Sequence, residues 1–219
     1  MRKLILKMII ISLAIGFAVP QVIVEAKEKV QTHHHCDWRA VAELKDDMRK
    51  LWIDHVVWTR DYLKSNLADL DDQEEVLARL LKNQKDLGKA IKPYYGEQTG
   101  NKFTTLLKEH IVIAGELIEA AKSGDSGKFN KINTKWYKNA DDIVEFLSGA
   151  NPKLDKKELK EAFYMHLKLV NDEVTARLNK DWEADILAFD QGEEHMIEFA
   201  DTLARGIKNQ FPEKFKCKE

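Results

Sequence analysis

Phe103-Thr104-Thr105-Leu106-Leu107-Lys108-Glu109-His110-Ile111-Val112-Ile113-Ala114-Gly115-Glu116-Leu117 decides how this chain folds. Phe103, Leu106, His110, Ile113 and Leu117 recur at alternating steps of three and four, the period of an α-helix with one face turned inward. From Ala40 onward the apolar residues keep that period. It predicts six helices, over about 38–66, 71–92, 99–123, 128–149, 155–178 and 181–209. Turn signals separate them: Asp69, Asp71 and Asp72; Pro93 to Gly100; Ser123 to Gly127; Gly149 to Pro152; and a weak Asn179-Lys180-Asp181 with no Gly or Pro. Ten glycines and four prolines in 219 residues are sparse, and no proline falls inside a proposed helix. Short connections make neighbours antiparallel. The expectation is therefore an all-α, up-and-down bundle of about six helices forming one domain over 38–211.

His110 sits on the apolar stripe, and it has counterparts. His55 falls on the first helix, Asn83 on the second, Asn139 on the fourth, His166 on the fifth and His195 on the sixth. Successive separations are 28, 27, 29, 27 and 29 residues, and the midpoints fall on the proposed turns. In an antiparallel bundle, residues equally far from a shared turn lie at one height. Helical spacing turns five of the six inward; His195 is less clear, with Gln191, Gly192 and Glu198 beside it. A faint repeat with an offset of 56 residues accompanies this register. Lys82-Asn83-x-x-Asp86 matches Lys138-Asn139-x-x-Asp142, His110 matches His166, and Asp125 matches Asp181.

A single His or Asn on an apolar stripe is ordinarily a core residue satisfied by its neighbours. Several at one height sharpen the question, because each unpaired buried polar group costs roughly 1–3 kcal/mol. The leading expectation is a non-enzymatic protein that holds a metal ion or small ligand in this central layer. Neutral imidazoles suit Zn, Cu, Ni or Fe, which makes His55, His110, His166 and His195 the candidate metal ligands. His55, His110 and His166 are favoured because their helices run parallel. Asn83 and Asn139 can offer carbonyl oxygens, and Asp86 and Asp142, one turn further on, can ligate or orient a histidine; a solvated helix face is their ordinary alternative. The main competitor is a closed His/Asn network that only fixes helix register, in a structural or interaction module of the cell envelope. A third reading makes His55 or His166 a general base, with Asp142. The di-iron motif is absent, since Trp52, Leu107, Phe163 and Gly192 stand three residues before the histidines. His-Glu-x-x-His, P-loop, dinucleotide and nucleophile-elbow motifs are absent too.

Residues 1–26 read as an export signal: Arg2, Lys3 and Lys7, an apolar run from Met8 to Val19, then Val24-Glu25-Ala26 before a cleavage site. An uncleaved anchor is the alternative. The expected location is secreted or associated with the envelope outside the cytoplasm. Removing the signal takes three of 35 basic and one of 37 acidic residues, leaving a net charge of −4. Mild acidity with dispersed Lys and Arg argues against nucleic acid, and no later stretch is long and apolar enough to span a membrane. Residues 27–37 read as a polar tail whose His33-His34-His35-Cys36 can bind Cu or Zn, and residues 212–219 as a second tail. An even number of helices puts both ends on one side, which allows a Cys36–Cys217 disulfide; free thiols or a Cys36 metal ligand are the alternatives.

The motifs Leu51-Trp52-x-Asp54-His55-Val56-x-Trp58-Thr59-Arg60, Asn83-Gln84-x-Asp86-Leu87-Gly88-x-Ala90-Ile91-x-Pro93-Tyr94-Tyr95-Gly96 and Trp136-x-x-Asn139-Ala140-Asp141 resemble those of a group of small exported bacterial proteins. Phe146-Leu147-Ser148-x-Ala150-Asn151-Pro152 and Gln210-Phe211-Pro212 extend the likeness over nearly all the chain after residue 26. Members carry labels such as glycosyltransferase or acetylglutamate kinase, yet the α/β nucleotide-binding pattern of those chemistries is missing here. The resemblance implies export and an all-helical fold, and no particular reaction.

Overall fold

The computed structural model describes residues 33–216, with side chains from residue 38 onward. Five α-helices follow one another: α1 His33–Leu67, α2 Gln73–Lys122, α3 Ser126–Ala150, α4 Lys156–Leu178 and α5 Trp182–Gln210, closed by a 3₁₀ turn at Pro212–Phe215. No strand occurs among the described residues. No helix among them is long and apolar enough to cross a membrane. The residues read as an export signal, and the side chains of Cys36 and Cys217, lie outside the described residues.

The count of five differs from the expected six at one point. The helices expected over 71–92 and 99–123 are two limbs of α2, broken only at Gly96, whose φ of 83° and ψ of 170° suit a residue without a side chain. Pro93 removes a backbone donor just before the break. The limbs fold back on each other, and their crossing depends on two more glycines. A Cβ on Gly88 would stand 2.6 Å from the Gly100 carbonyl oxygen, and a Cβ on Gly100 would stand 2.6 Å from that of Gly88. The path is up-and-down as expected, with one bend sharp enough to serve as a turn.

Three of the other four turns share a form, the α3–α4 connection being the exception. Asp69, Gly124 and Lys180 each take a left-handed backbone, at φ 52°, 69° and 58°. Asp125 and Asp181 then cap the next helices, accepting from the backbone N–H of Lys128 and Ala184. Lys180 explains why the last turn was faint in the sequence: the left-handed position there is filled by a residue that rarely advertises it. The ends also differ from expectation. α1 starts at His33, inside the stretch read as a tail. Phe215 is buried in the core and stacks on Tyr94 with ring centres 5.9 Å apart, so residues 212–215 belong to the packed domain.

Candidate functional site

Three imidazoles meet at mid-height. The His55 and His166 ring centres are 5.5 Å apart, and those of His110 and His166 are 6.1 Å apart. Their relative exposures are 2%, 3% and 5%, so solvent does not satisfy them. They come from α1, the second limb of α2, and α4, the three parallel helices. Trp52 packs edge-on against His55, and Trp136 lies tilted against His110 at 5.1 Å. Both indoles are about 1% exposed and wall the layer from either side.

Each imidazole belongs to a helical hairpin built on one plan. Asn83 donates its amide N–H to the carbonyl of Leu51 at 2.9 Å, and Asn139 donates to the carbonyl of Leu106 at 3.3 Å. His195 donates from Nε2 to the carbonyl of Ala162 at 2.8 Å. Leu51, Leu106 and Ala162 each stand four residues before a layer histidine, where the carbonyl already accepts from the histidine's own backbone N–H. The faint repeat is thus a threefold series of hairpins: α1 with the first limb of α2, the second limb of α2 with α3, and α4 with α5. His195 occupies the place that Asn83 and Asn139 hold elsewhere. Its Nε2 is spent on the Ala162 carbonyl, so that nitrogen is not free for an ion in the layer, unlike Nε2 of His110.

The hydrogen bonds fix one tautomer firmly. Asn139 spends its amide N–H on Leu106, so its Oδ1 accepts from His110 Nδ1 at 2.8 Å. His110 Nε2 is then a bare lone pair, buried and without a partner. Gln84 places its amide nitrogen 3.3 Å from His55 Nδ1, 3.0 Å from the Leu80 carbonyl and 3.0 Å from Asn83 Oδ1. Its Oε1 is buried without a partner, as are Trp52 Nε1, Trp136 Nε1 and Thr59 Oγ1. Burial holds all three imidazoles neutral. His55 is pushed down to about 3, with His110 nearby adding to the effect of burial. His110 is pushed down to about 4 against the opposing bond to Asn139. His166 falls well below its ordinary value through burial and the proximity of the other histidines.

Asp86 and Asp142 do not reach the layer. Asp86 pairs with Lys82 at 2.6 Å, and Asp142 pairs with Lys138, both at exposed i,i+4 positions. Their role as ligands or orienters is corrected to the solvated helix face, because three residues past each asparagine the side chain stands about 60° round the helix, at the edge of the stripe beside a lysine. Among the described residues no group of three or more His, Cys, Asp or Glu stands ready to hold a metal ion.

A second polar cluster was missed by the sequence reading. Arg60 on α1 meets Glu173 on α4 at 2.5 Å and grips both oxygens of Asp185 on α5 at 3.1 and 3.0 Å. Arg177 reaches the same Asp185 at 2.7 Å, and Phe189 lies under the Arg60 guanidinium at 4.5 Å. Burial raises the Glu173 carboxyl to about 7, outweighing the pull of Arg60. One signal for this cluster was present: Glu173 lies seven residues after His166, two turns along the same inward stripe.

Comparison of the chain with protein-family models, curated proteins and solved structures finds no match in any of the three.

Proposed function

We propose that this bundle is an exported ligand-binding protein whose seat is the imidazole layer, and that its ligand is a divalent transition-metal ion taken by His55, His110 and His166. The observation that carries this reading is His110 Nε2: a neutral lone pair, buried, with no partner. Asn139 supplies the hydrogen bond that a ligating histidine ordinarily makes through its other nitrogen. Two imidazoles on one tetrahedral ion hold their ring centres roughly 5 Å apart, given metal–nitrogen bonds of about 2 Å. The observed 5.5 and 6.1 Å are within a side-chain rotation of that spacing. Zn, Cu, Ni and Fe are the candidates by ligand type. The test is metal analysis and thermal unfolding of protein purified without an affinity tag, beside a variant lacking His33, His34, His35 and Cys36. Near-stoichiometric metal in both, lost in His166→Leu, supports the reading. No bound metal, and no thermal shift with any of the four ions, overturns it.

A second reading rests on the three donations to Leu51, Leu106 and Ala162. They make the layer a register device, each hairpin keyed to itself, in a structural or interaction module of the envelope. It expects His110→Leu combined with Asn139→Leu to leave fold and function in place.

A further inference from the structure

Between α1, α4 and α5 lies a cavity of about 10 Å³ lined by Thr59, His166, Glu173, Phe189 and Gly192. It separates the imidazole layer from the Arg60–Glu173–Asp185–Arg177 cluster. Most of the lining is apolar, Val56, Leu169, Val170 and Ala188 included, and three features give it one polar side. Thr59 Oγ1 is buried with no hydrogen-bond partner. The Glu173 carboxyl and the His166 ring, each 5% exposed, border the same space. Gly192 borders it without a side chain of its own. A water needs about 10–15 Å³ on this measure and two to four polar partners, so the size is just sufficient for one molecule and Thr59, Glu173 and His166 supply three candidate partners.

We propose that this cavity is a specific site for one water molecule, which accepts and donates among Thr59 Oγ1, the Glu173 carboxyl and the His166 ring. The molecule joins the two polar clusters into one hydrogen-bonded system running from the Arg177 end of α4 to the imidazoles.

Gly192→Ala adds one methyl to the cavity, and Thr59→Val removes the hydroxyl while keeping the volume. Ring-nitrogen chemical shifts of the full-length protein, read by NMR together with a high-resolution crystal structure, test the site. The expected result is one ordered water within hydrogen-bonding distance of Thr59 Oγ1, absent in Gly192→Ala. The His166 ring nitrogens should shift in that variant while those of His110, held by Asn139, stay in place. If Gly192→Ala does not fold, Thr59→Val should move the same His166 signals. A dry cavity in the parent protein overturns the proposal, and so do His166 signals indifferent to both substitutions.

Discussion

Asn139 uses both ends of its amide at once, accepting from His110 Nδ1 at 2.8 Å and donating to the Leu106 carbonyl at 3.3 Å. It is thereby the residue that chooses the His110 tautomer. Asn139→Ala should leave a buried ring N–H unpaired and cost about 2–3 kcal/mol in urea unfolding. Adding His110→Leu should recover part of that loss. A double variant whose cost equals the two single costs added together would show that the pair is not coupled.

Acid should unfold the protein steeply. Histidines held neutral in the fold bind protons in the unfolded chain below about pH 6.5, so their contribution is present above that pH and lost as the pH falls toward 3–4. Glu173 works the other way: its raised value favours the fold as pH falls from about 7 toward 4.5. Three histidines against one carboxyl leave a net of two protons, or about 3 kcal/mol lost per pH unit between pH 6 and 5. Urea midpoints measured from pH 7.5 to 4.5 read this slope, and a flat profile would contradict the neutral imidazoles.

Arg60 is the keystone of the charged cluster, touching Glu173 and both oxygens of Asp185. Arg60→Met strands the buried Glu173 carboxyl, leaves Asp185 with Arg177 alone, and should cost about 3–5 kcal/mol. Arg60→Met with Glu173→Leu and Asp185→Asn should recover much of that cost. The thermal midpoints of the three proteins rank the cases.

Two glycines offer a contrast. Gly100→Ala drives a methyl to 2.6 Å from the Gly88 carbonyl oxygen, and backbone cannot yield easily there, so a loss of about 1–3 kcal/mol is expected. Gly149→Ala meets nothing within 4 Å near the end of α3 and should stabilise by about 0.5–1 kcal/mol. Thermal melts of the pair should move in opposite directions.

Periodicity found the helices because each buries one stripe, and equal spacing from the turns found His55, His110 and His166 because height in a bundle is set by counting residues. Counting could not say which side chains reach past their own helix. Asp86 and Asn83 differ by three residues and less than one turn, yet one meets lysine at the surface and the other meets the Leu51 carbonyl. His195 was ambiguous for a related reason: its ring bonds to a neighbouring helix's backbone, a partner that leaves no mark on sequence pattern. The Arg60 cluster draws on three helices, with partners 113 and 125 residues apart, and no local spacing encodes it. The break at Gly96 was read as a loop because Pro93 and two glycines punctuate it, whereas a single residue makes the turn.

The hairpin plan has a consequence for how the chain reaches this state. Every bond that positions a layer residue closes a loop of only about thirty residues, Gln84 to His55, Asn139 to His110 and His195 to Ala162. The ring contacts that join one hairpin to another, His55 with His166 and His110 with His166, span about twice to four times that distance in sequence. Short closures form fast and long ones slowly. The order of events is therefore written into the layer: three hairpins set their own polar keys first, and the imidazoles come together last, as the step that commits the chain to one assembly.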